Sequence, residues 1–286
     1  MQRSKLFRFL VASSLCLWSL PDVQACETEP CQIGIEVFEG DLVVVEGGVA
    51  GHHGLKFLID TGSTHTIIDR RLAVGLNLTR GSGKVINLDK TATLPVIILP
   101  SLAMGCRVVT DLAVSVADLN YLRSSGARID GILGLDVLGR SSFTIDFAHK
   151  RMVFDAKDEL LNTVRMEAGT AALYVFMDVG EHSVKMIVDS GAPGTVMYEG
   201  QLRRFNADYR VLQATLGRSF GGAIKGEVAV LPRLRLGKQD LDRRAFLVRD
   251  PATKELRDVA GFLGLAALQA NEIIFDFERG ELRWAK

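Results

Sequence analysis

The sequence predicts a mainly β protein made of two similar units related by a pseudo-twofold axis. Valine, isoleucine and leucine occur in short runs broken by glycine, aspartate and asparagine, a texture typical of strands joined by tight turns. A second observation is a repeat: the stretch FLIDTGSTHTIID at Phe57–Asp69 returns as MIVDSGAPGTVMY at Met186–Tyr198. Further matches follow each copy in the same order, so the whole unit is duplicated.

The duplication rests on matches that keep a nearly constant offset of 129 to 132 positions. Two units of about 115 residues result, which is an ordinary domain size. With Asp60 placed on Asp189, the matched segments are Leu99–Gly105 with Leu231–Gly237, Ala113–Val116 with Ala245–Val248, and Asp130–Phe154 with Ala260–Trp284. We place the units at residues 33–155 and 171–286, joined by a linker at Ala156–Thr170 that shows no strand pattern.

Each unit is predicted to contain the same elements in the same order: a hairpin, a short helix, two further strands and a closing strand pair. The predicted hairpins are Leu42–Val45 with Leu55–Ile59 and Leu173–Val179 with Val184–Val188. The helices lie near Asp69–Leu76 and Glu199–Phe205, and the further strands flank Lys84–Leu99 and Thr215–Val230. The closing pairs are Phe143–Asp146 with Arg151–Phe154 and Ile273–Phe277 with Leu282–Trp284.

The first 25 residues predict a signal peptide, and hence export to the periplasm or the medium. A basic start is followed by the apolar run Phe9–Leu20, which is short for a membrane span, and by Val23-Gln24-Ala25, which fits a cleavage site after Ala25. The alternative is a short anchor that stays on the chain. No later segment is long and apolar enough to span a membrane, and a formal net charge of zero gives no argument for nucleic acid.

The cysteines leave two connectivities open. If Cys26 becomes the first mature residue it is a candidate for lipid attachment, and Cys31 and Cys106 are then free to pair. Without lipidation, Cys26 and Cys31 form the easy local bridge and Cys106 stays a buried thiol. The sequence does not choose between them.

The repeated Asp-Thr/Ser-Gly turn suggests chemistry because it occurs twice. One such turn is common in ordinary loops. Two copies that meet at a pseudo-twofold axis would bring Asp60 and Asp189 together with a water between them. Two carboxylates at such a short distance share one proton. One can therefore accept a proton from water while the other donates one to a carbonyl oxygen.

The chain resembles the aspartic proteases, pepsin-like and retropepsin-like, and in particular the bacterial proteins that fuse two retroviral-type units. Both Asp-[ST]-Gly-[SA] motifs carry the resemblance, together with the apolar-apolar-Gly turns Ile132–Gly134 and Phe262–Gly264. These glycines follow Asp60 and Asp189 by 74 and 75 residues. The resemblance implies a two-lobed acid-protease fold, β-barrel-like lobes, and a peptide or protein substrate cleaved without a cofactor or metal.

Carried over by position, Asp60 and Asp189 are the catalytic dyad, and Thr61 and Ser190 form a hydroxyl grip between the loops. Gly62 and Gly191 supply N–H groups to the carboxylates. Ser63 has a hydroxyl that can reach the outer oxygen of Asp60, whereas Ala192 offers none to Asp189, so unequal ionisation is expected.

Flexible flaps over the cleft are expected at Gly81–Thr93 and Gly217–Gly226. Asp130 is interpreted as a turn or capping residue rather than a third catalytic acid. His52, His53 and His65 lack partners at ligand spacing, so we expect surface histidines rather than a metal site. We expect a monomeric endopeptidase; the alternative is a non-catalytic peptide-binding protein with the same fold.

Overall fold

A computed structural model of the protein describes residues 23–24, 31–38, 42–76, 80–86, 91–123, 128–155, 160–169, 172–219, 222–250 and 256–286. Within these residues the strands are, in chain order, β1 (Val23–Gln24), β2 (Gln32–Phe38), β3 (Leu42–Val49), β4 (His52–Ile59), β5 (Ile67–Asp69), β6 (Arg80–Ile86), β7 (Thr91–Met104), β8 (Arg107–Ala117), β9 (Gly131–Leu133), β10 (Phe143–Asp146), β11 (Arg151–Phe154), β12 (Asn162–Arg165), β13 (Glu167–Ala168), β14 (Leu173–Val179), β15 (His182–Val188), β16 (Val196–Tyr198), β17 (Arg210–Ser219), β18 (Gly222–Val230), β19 (Leu234–Leu236), β20 (Gln239–Asp240), β21 (Arg244–Val248), β22 (Gly261–Leu263), β23 (Glu272–Asp276) and β24 (Glu281–Ala285). The helices in the same residues are α1 (Arg70–Leu76), α2 (Asn120–Arg123), α3 (Leu135–Leu138), α4 (Glu199–Arg204) and a 3-10 turn at Leu265–Leu268.

The prediction of a mainly β protein is confirmed, and the described strands form two sheets. The larger has 14 strands in the order β12-β24-β23-β10-β11-β2-β3-β4-β9-β5-β8-β7-β6, with β1 on β8. The smaller has 10 strands in the order β17-β18-β21-β16-β22-β15-β14-β19-β20, with β13 on β14. The predicted hairpins, helices and closing strand pairs are all present, with bounds that differ from the prediction by a few residues.

The two units have the same internal topology. In the first, β4 lies parallel to β9, with Ile59 opposite Leu133. In the second, β15 lies parallel to β22, with Val188 opposite Leu263. Each of these parallel pairs is buried, since the side chains of Gly131–Leu133 and Gly261–Leu263 have almost no exposure. Rigid strands therefore deliver both Asp turns to the same end of their units.

The pseudo-twofold axis passes through the antiparallel pair β10 and β23. Thr144 lies opposite Ile274, its equivalent in the repeat. Phe143 lies opposite Phe275, and their rings stack with centroids 4.7 Å apart. One copy of the closing strand pair thus pairs with the other, as a self-complementary interface requires. This continuous sheet joins the two halves of the molecule.

The linker departs from its prediction, because it contains strands where we expected none. Asn162–Arg165 pairs with β24, with Asn162 opposite Trp284. Glu167–Ala168 then pairs with the start of β14. The burial of β12 alternates between half-buried and exposed, so it carries no apolar signal. Its strand conformation follows from the open edge of β24 that it covers.

Both predicted flaps lie in long hairpins. The segment Gly81–Thr93 falls in the β6–β7 pair and Gly217–Gly226 in the β17–β18 pair. Their tips, residues 87–90 and 220–221, lie outside the described residues.

Most of the predicted signal peptide, and Cys26, also lie outside the described residues; Val23 and Gln24 pair with Val109 and Val108 of β8. Cys31 and Cys106 form a disulfide with a Cα–Cα distance of 5.8 Å. This is the pairing that the sequence analysis gave for a chain with a lipid on Cys26, and the alternative bridge between Cys26 and Cys31 is not formed. Among the described residues, no helix has the length and apolarity needed to cross a membrane.

Candidate active site

Each Asp turn starts where a buried strand ends and is fixed at its first peptide. The backbone N–H of Asp60 donates to the carbonyl of Leu133, and that of Asp189 donates to the carbonyl of Leu263, both at 3.0 Å. The last three residues of each strand, Phe57–Ile59 and Met186–Val188, are apolar and buried because they pack in the cores of their units. The polar side chain at the strand end is therefore held at the boundary between core and cleft.

Backbone N–H groups of each turn bind the carboxylate that precedes them. Oδ1 of Asp60 accepts from Gly62 N at 2.9 Å and from Ser63 N at 3.1 Å. Oδ1 of Asp189 accepts from Gly191 N at 2.8 Å, and the backbone N–H of Ala192 also donates to this carboxyl group. Such bonds favour the ionised form of a carboxyl group and orient its oxygens.

Thr61 and Ser190 lock the two turns together through four reciprocal hydrogen bonds. The Thr61 hydroxyl donates to the carbonyl of Val188 at 2.9 Å and accepts from Ser190 N at 3.1 Å. The Ser190 hydroxyl donates to the carbonyl of Ile59 at 2.8 Å and accepts from Thr61 N at 2.9 Å. Both residues are buried. Both hydroxyls and both backbone N–H groups of the pair are used, which holds the turns in one relative position.

The turns also interlock through their glycines. A Cβ at Gly62 would lie 2.5 Å from Cγ of Asp189, and one at Gly191 would lie 2.7 Å from Cγ of Asp60. Any side chain at either position would overlap the carboxylate of the opposite unit. Glycine is therefore required here by close approach.

The two carboxyl groups are hydrogen-bonded to each other, and their environment raises the pKa of both. Burial is the main cause for each. The pKa of Asp189 lies well above its ordinary value, because the charge of Asp60 also opposes its ionisation. The pKa of Asp60 is raised less, since Asp189, Gly62 and Ser63 donate to its ionised form. One carboxylate and one carboxylic acid, facing each other, can act as a base and an acid in the same step.

The apolar-Gly turns lie directly behind the Asp turns. The N–H of Leu135 donates to the carbonyl of Ser63 at 2.8 Å, and Gly264 N donates to the carbonyl of Gly194 at 3.3 Å. A Cβ at Gly134 would lie 2.6 Å from the carbonyl carbon of His65. Gly134 and Gly264 permit this close packing, and the packing holds the Asp turns in place.

One predicted contact is wrong. The Ser63 hydroxyl does not bond to Asp60 but donates to the carbonyl of His65 at 2.8 Å. Ser63 still serves the carboxylate, through its backbone N–H.

Asp130 belongs to the scaffold. Its carboxylate accepts from Lys56 N at 3.0 Å, within β4 and four residues before Asp60. Four residues of extended chain span about 13 Å.

The structure also places near the dyad residues that our sequence reasoning missed. Tyr121 on α2 is half-buried against a cluster that includes Leu58 and Ile132. Burial and the charges of Asp60 and Asp189 raise the pKa of its phenol, so the ring lies within electrostatic reach of both carboxylates. No periodicity marks this tyrosine, because α2 is only four residues long.

A second missed group is the carboxylate of Asp136 on α3, which binds Thr66 just after the first Asp turn. The repeat gave no signal for it, since the second unit has Ala266 at that position. Within the described parts of the chain, no group of three or more His, Cys, Asp or Glu side chains is arranged to hold a metal ion.

Two homologous β units that present paired Asp turns across a pseudo-twofold axis have the architecture of the acid proteases. Comparison with family models agrees with this class: the aspartyl protease model matches the chain twice, at residues 45–137 and 175–267. The chain therefore belongs to the aspartyl protease family. The predicted resemblance to retropepsin-like proteases and the two-lobed fold are confirmed. No curated protein matches the chain.

Proposed function

We propose that this protein is an exported aspartic endopeptidase, which hydrolyses peptide bonds with a water activated by Asp60 and Asp189. Membership of the family supports a protease function in general. The observation that carries the specific proposal is the contact between the two carboxyl groups at the axis, in a buried setting that raises the pKa of both.

The roles of the two aspartates follow from their surroundings. Asp60 is the ionised member, because the carboxyl group of Asp189 donates a hydrogen bond to it in addition to the N–H groups of Gly62 and Ser63. Asp189 carries the shared proton, because burial and the Asp60 charge oppose its ionisation. Asp60 takes a proton from water as the water attacks the scissile carbonyl carbon, and Asp189 donates its proton to the carbonyl oxygen. As the C–N bond of the resulting gem-diol breaks, Asp60 gives its proton to the leaving amine nitrogen and Asp189 takes a proton from one gem-diol hydroxyl, which restores the starting protonation of the dyad.

The supporting residues keep this geometry through the reaction. Thr61 and Ser190 fix the separation of the two turns, so neither carboxylate has to be repositioned as charge moves. A peptide lying extended in the cleft would be held mainly by backbone hydrogen bonds, as in other strand-addition complexes. Both carboxylates come from one chain, so we propose that a monomer is sufficient.

The proposal is tested by measuring cleavage of an unfolded protein by the purified mature chain between about pH 3 and 8. Asp60→Asn and Asp189→Asn should each lower kcat/KM by about 100-fold or more, the range for loss of a general acid or base. Activity should peak at acid to mildly acid pH, because it requires Asp60 ionised and Asp189 protonated. Asp111→Asn is the matched control, since Asp111 is exposed and has a positive φ of 51°, which asparagine tolerates.

Wild-type rates in both dyad variants would overturn the catalytic assignment. A wild-type protein that binds a statine-type transition-state mimic but cleaves nothing would favour the alternative, a peptide-binding protein with this fold. Two buried carboxylates in contact are costly to a mere binder, which argues for the enzyme.

Export is the remaining part of the proposal. It rests on the basic and apolar start of the chain and on the disulfide between Cys31 and Cys106, since disulfides persist in oxidising compartments. Attachment of a lipid at Cys26 is compatible with that pairing.

A further inference from the structure

The carboxylate of Asp136 on helix α3 binds Thr66 in the loop that follows Asp60. The backbone N–H of Thr66 donates to Oδ1 and Oδ2 of Asp136 at 3.0 and 2.9 Å. The Thr66 hydroxyl donates to Oδ1 at 2.7 Å. Thr66 is fully buried and Asp136 is half-buried, so little water competes for these bonds.

This anchor continues back to the carboxylate of Asp60. The N–H groups of Leu135 and Asp136 donate to the carbonyls of Ser63 and Thr64 at 2.8 and 3.2 Å. Ser63 in turn donates its backbone N–H to Oδ1 of Asp60. Movement of Asp136 would therefore displace the residue whose N–H holds the carboxylate.

The second unit has the same frame without the anchor. Thr195 occupies the position of Thr66, but Ala266 stands where Asp136 would be. The Thr195 hydroxyl is buried and has no hydrogen-bond partner among the described residues. The surrounding strands are equivalent, since Ser115 N donates to the Thr66 carbonyl and Phe246 N to that of Thr195. The carboxylate is thus one clear difference between the two units. A second is that Gly134 N donates to the Thr66 hydroxyl at 3.2 Å, whereas Gly264 N donates to the carbonyl of Gly194.

We propose that Asp136 is a positioning residue for Asp60: it anchors the loop whose N–H groups orient that carboxylate, and Asp189 has no counterpart. The proposal rests on the dyad function given above. The two Asp turns are then held differently. The first is held by the hydroxyl grip, by backbone contacts and by Asp136, and the second by the hydroxyl grip and backbone contacts alone.

Charged and titratable groups around the anchor are few among the described residues. His65 and Arg140 act on Asp136, and the Arg140 side chain donates to its backbone carbonyl at 2.6 Å. The two dyad carboxyl groups are hydrogen-bonded to each other, and their charges act on the phenol of Tyr121. None of these groups is altered by the variants below.

The test compares Asp136→Ala with the matched pair Thr66→Val and Thr195→Val. Asp136→Ala should lower kcat by about 10- to 100-fold with little change in KM, the scale for misplacement of a reacting group. It should also move the acidic limb of kcat/KM to higher pH, because ionised Asp60 loses N–H donors. Thr66→Val should move the acidic limb in the same direction by a smaller amount. Thr66→Ser keeps the hydroxyl, so its acidic limb should lie at the wild-type pH. Thr195→Val should also match wild type.

A readout without substrate separates this proposal from the dyad function. Carboxyl ¹³C NMR of aspartate-labelled protein follows the titration of the dyad directly, and circular dichroism checks the fold. If Asp136→Ala folds and leaves that titration and the acidic limb unchanged, the proposal is overturned, even if its melting temperature drops. If Asp136→Ala does not fold, equal behaviour of Thr66→Val and Thr195→Val overturns it. Loss of the dyad function alone would appear as an inactive wild type whose dyad still titrates differently in Asp136→Ala.

Discussion

Gly62 and Gly191 place each backbone turn against the carboxylate of the opposite unit, closer than any side chain would allow. This contact sets how near the two carboxyl groups approach, and therefore how strongly each opposes ionisation of the other. The hydroxyl grip holds the two turns together, and the glycines allow each turn to approach the carboxylate of the other. The separation of the dyad is thus determined by residues that carry no titratable group.

Replacement of Gly62 by alanine tests this arrangement. The new methyl group would overlap Cγ of Asp189, so the carboxylates must move apart, and kcat/KM should fall by about 100-fold. Gly75→Ala is the control, because a Cβ there meets no atom within 4 Å and alanine suits a helix better than glycine. Cleavage rates of both variants measure the effect on activity, and thermal melts check that both variants are folded. Equal activity in the two would show that the close approach is not needed.

At this scale the sequence predicted the residues that the repeat conserves and missed those that it does not. Asp60, Asp189, Thr61 and Ser190 were placed together because both copies carry them. The bond between Thr66 and Asp136 spans 70 positions and exists in one unit only, so comparing the copies did not point to it. Which atom of Ser63 contacts Asp60 depends on local backbone geometry that no pattern encodes.

The strands that the sequence predicted are those with a local pattern, and those that it missed depend on tertiary contacts. Hairpins and closing strand pairs were predicted because their side chains alternate or run apolar through a buried sheet. The strands of the linker were not, because Asn162–Arg165 is polar and is extended only by pairing with β24. Strand preference depends on the neighbours that a strand meets, which a single chain pattern does not contain.

The disulfide joins the residue before β2 to the turn between β7 and β8, 75 positions apart. A bridge over a loop of that length limits the unfolded ensemble, so replacing both cysteines by alanine should lower the free energy of unfolding by about 2–4 kcal/mol. Urea denaturation of the Cys31→Ala/Cys106→Ala variant measures the loss. Reductant should bring wild type to the same midpoint and leave the variant unaffected. A variant as stable as oxidised wild type would contradict the expected contribution.

On the scale of the whole molecule, the dyad is assembled by the sheet that joins the two halves. β10 and β23 pair across the axis, and the stacked rings of Phe143 and Phe275 lie within that junction. The duplication predicted such an axis, but the register that places Thr144 opposite Ile274 depends on the packing of both units. The junction forces two carboxyl groups into a buried contact that each half alone would not have.

That contact should make the fold less stable at neutral pH than at acid pH. The pKa of Asp189 is raised well above the ordinary value of 3.8, so the folded state binds this proton more tightly than the unfolded state. The resulting stabilisation is complete below pH 3.8 and is lost as the pH rises through the folded pKa. Asp189→Asn removes the titration and leaves an amide that can donate to Asp60. The variant should therefore melt higher than wild type at neutral pH.

Thermal melts of Asp189→Asn and wild type between pH 3 and 8 measure this difference. The two should nearly coincide below about pH 4 and diverge by several degrees as the pH rises. Each tenfold difference in proton affinity is worth about 1.4 kcal/mol, and 1 kcal/mol moves Tm by about 2–4 °C for proteins of 150–250 residues. Asp111→Asn, on an exposed carboxylate, should follow the wild-type curve. If the difference in melting temperature between Asp189→Asn and wild type is constant with pH, the pKa of Asp189 is not raised by folding. The proposal that the dyad shares a proton would then be wrong.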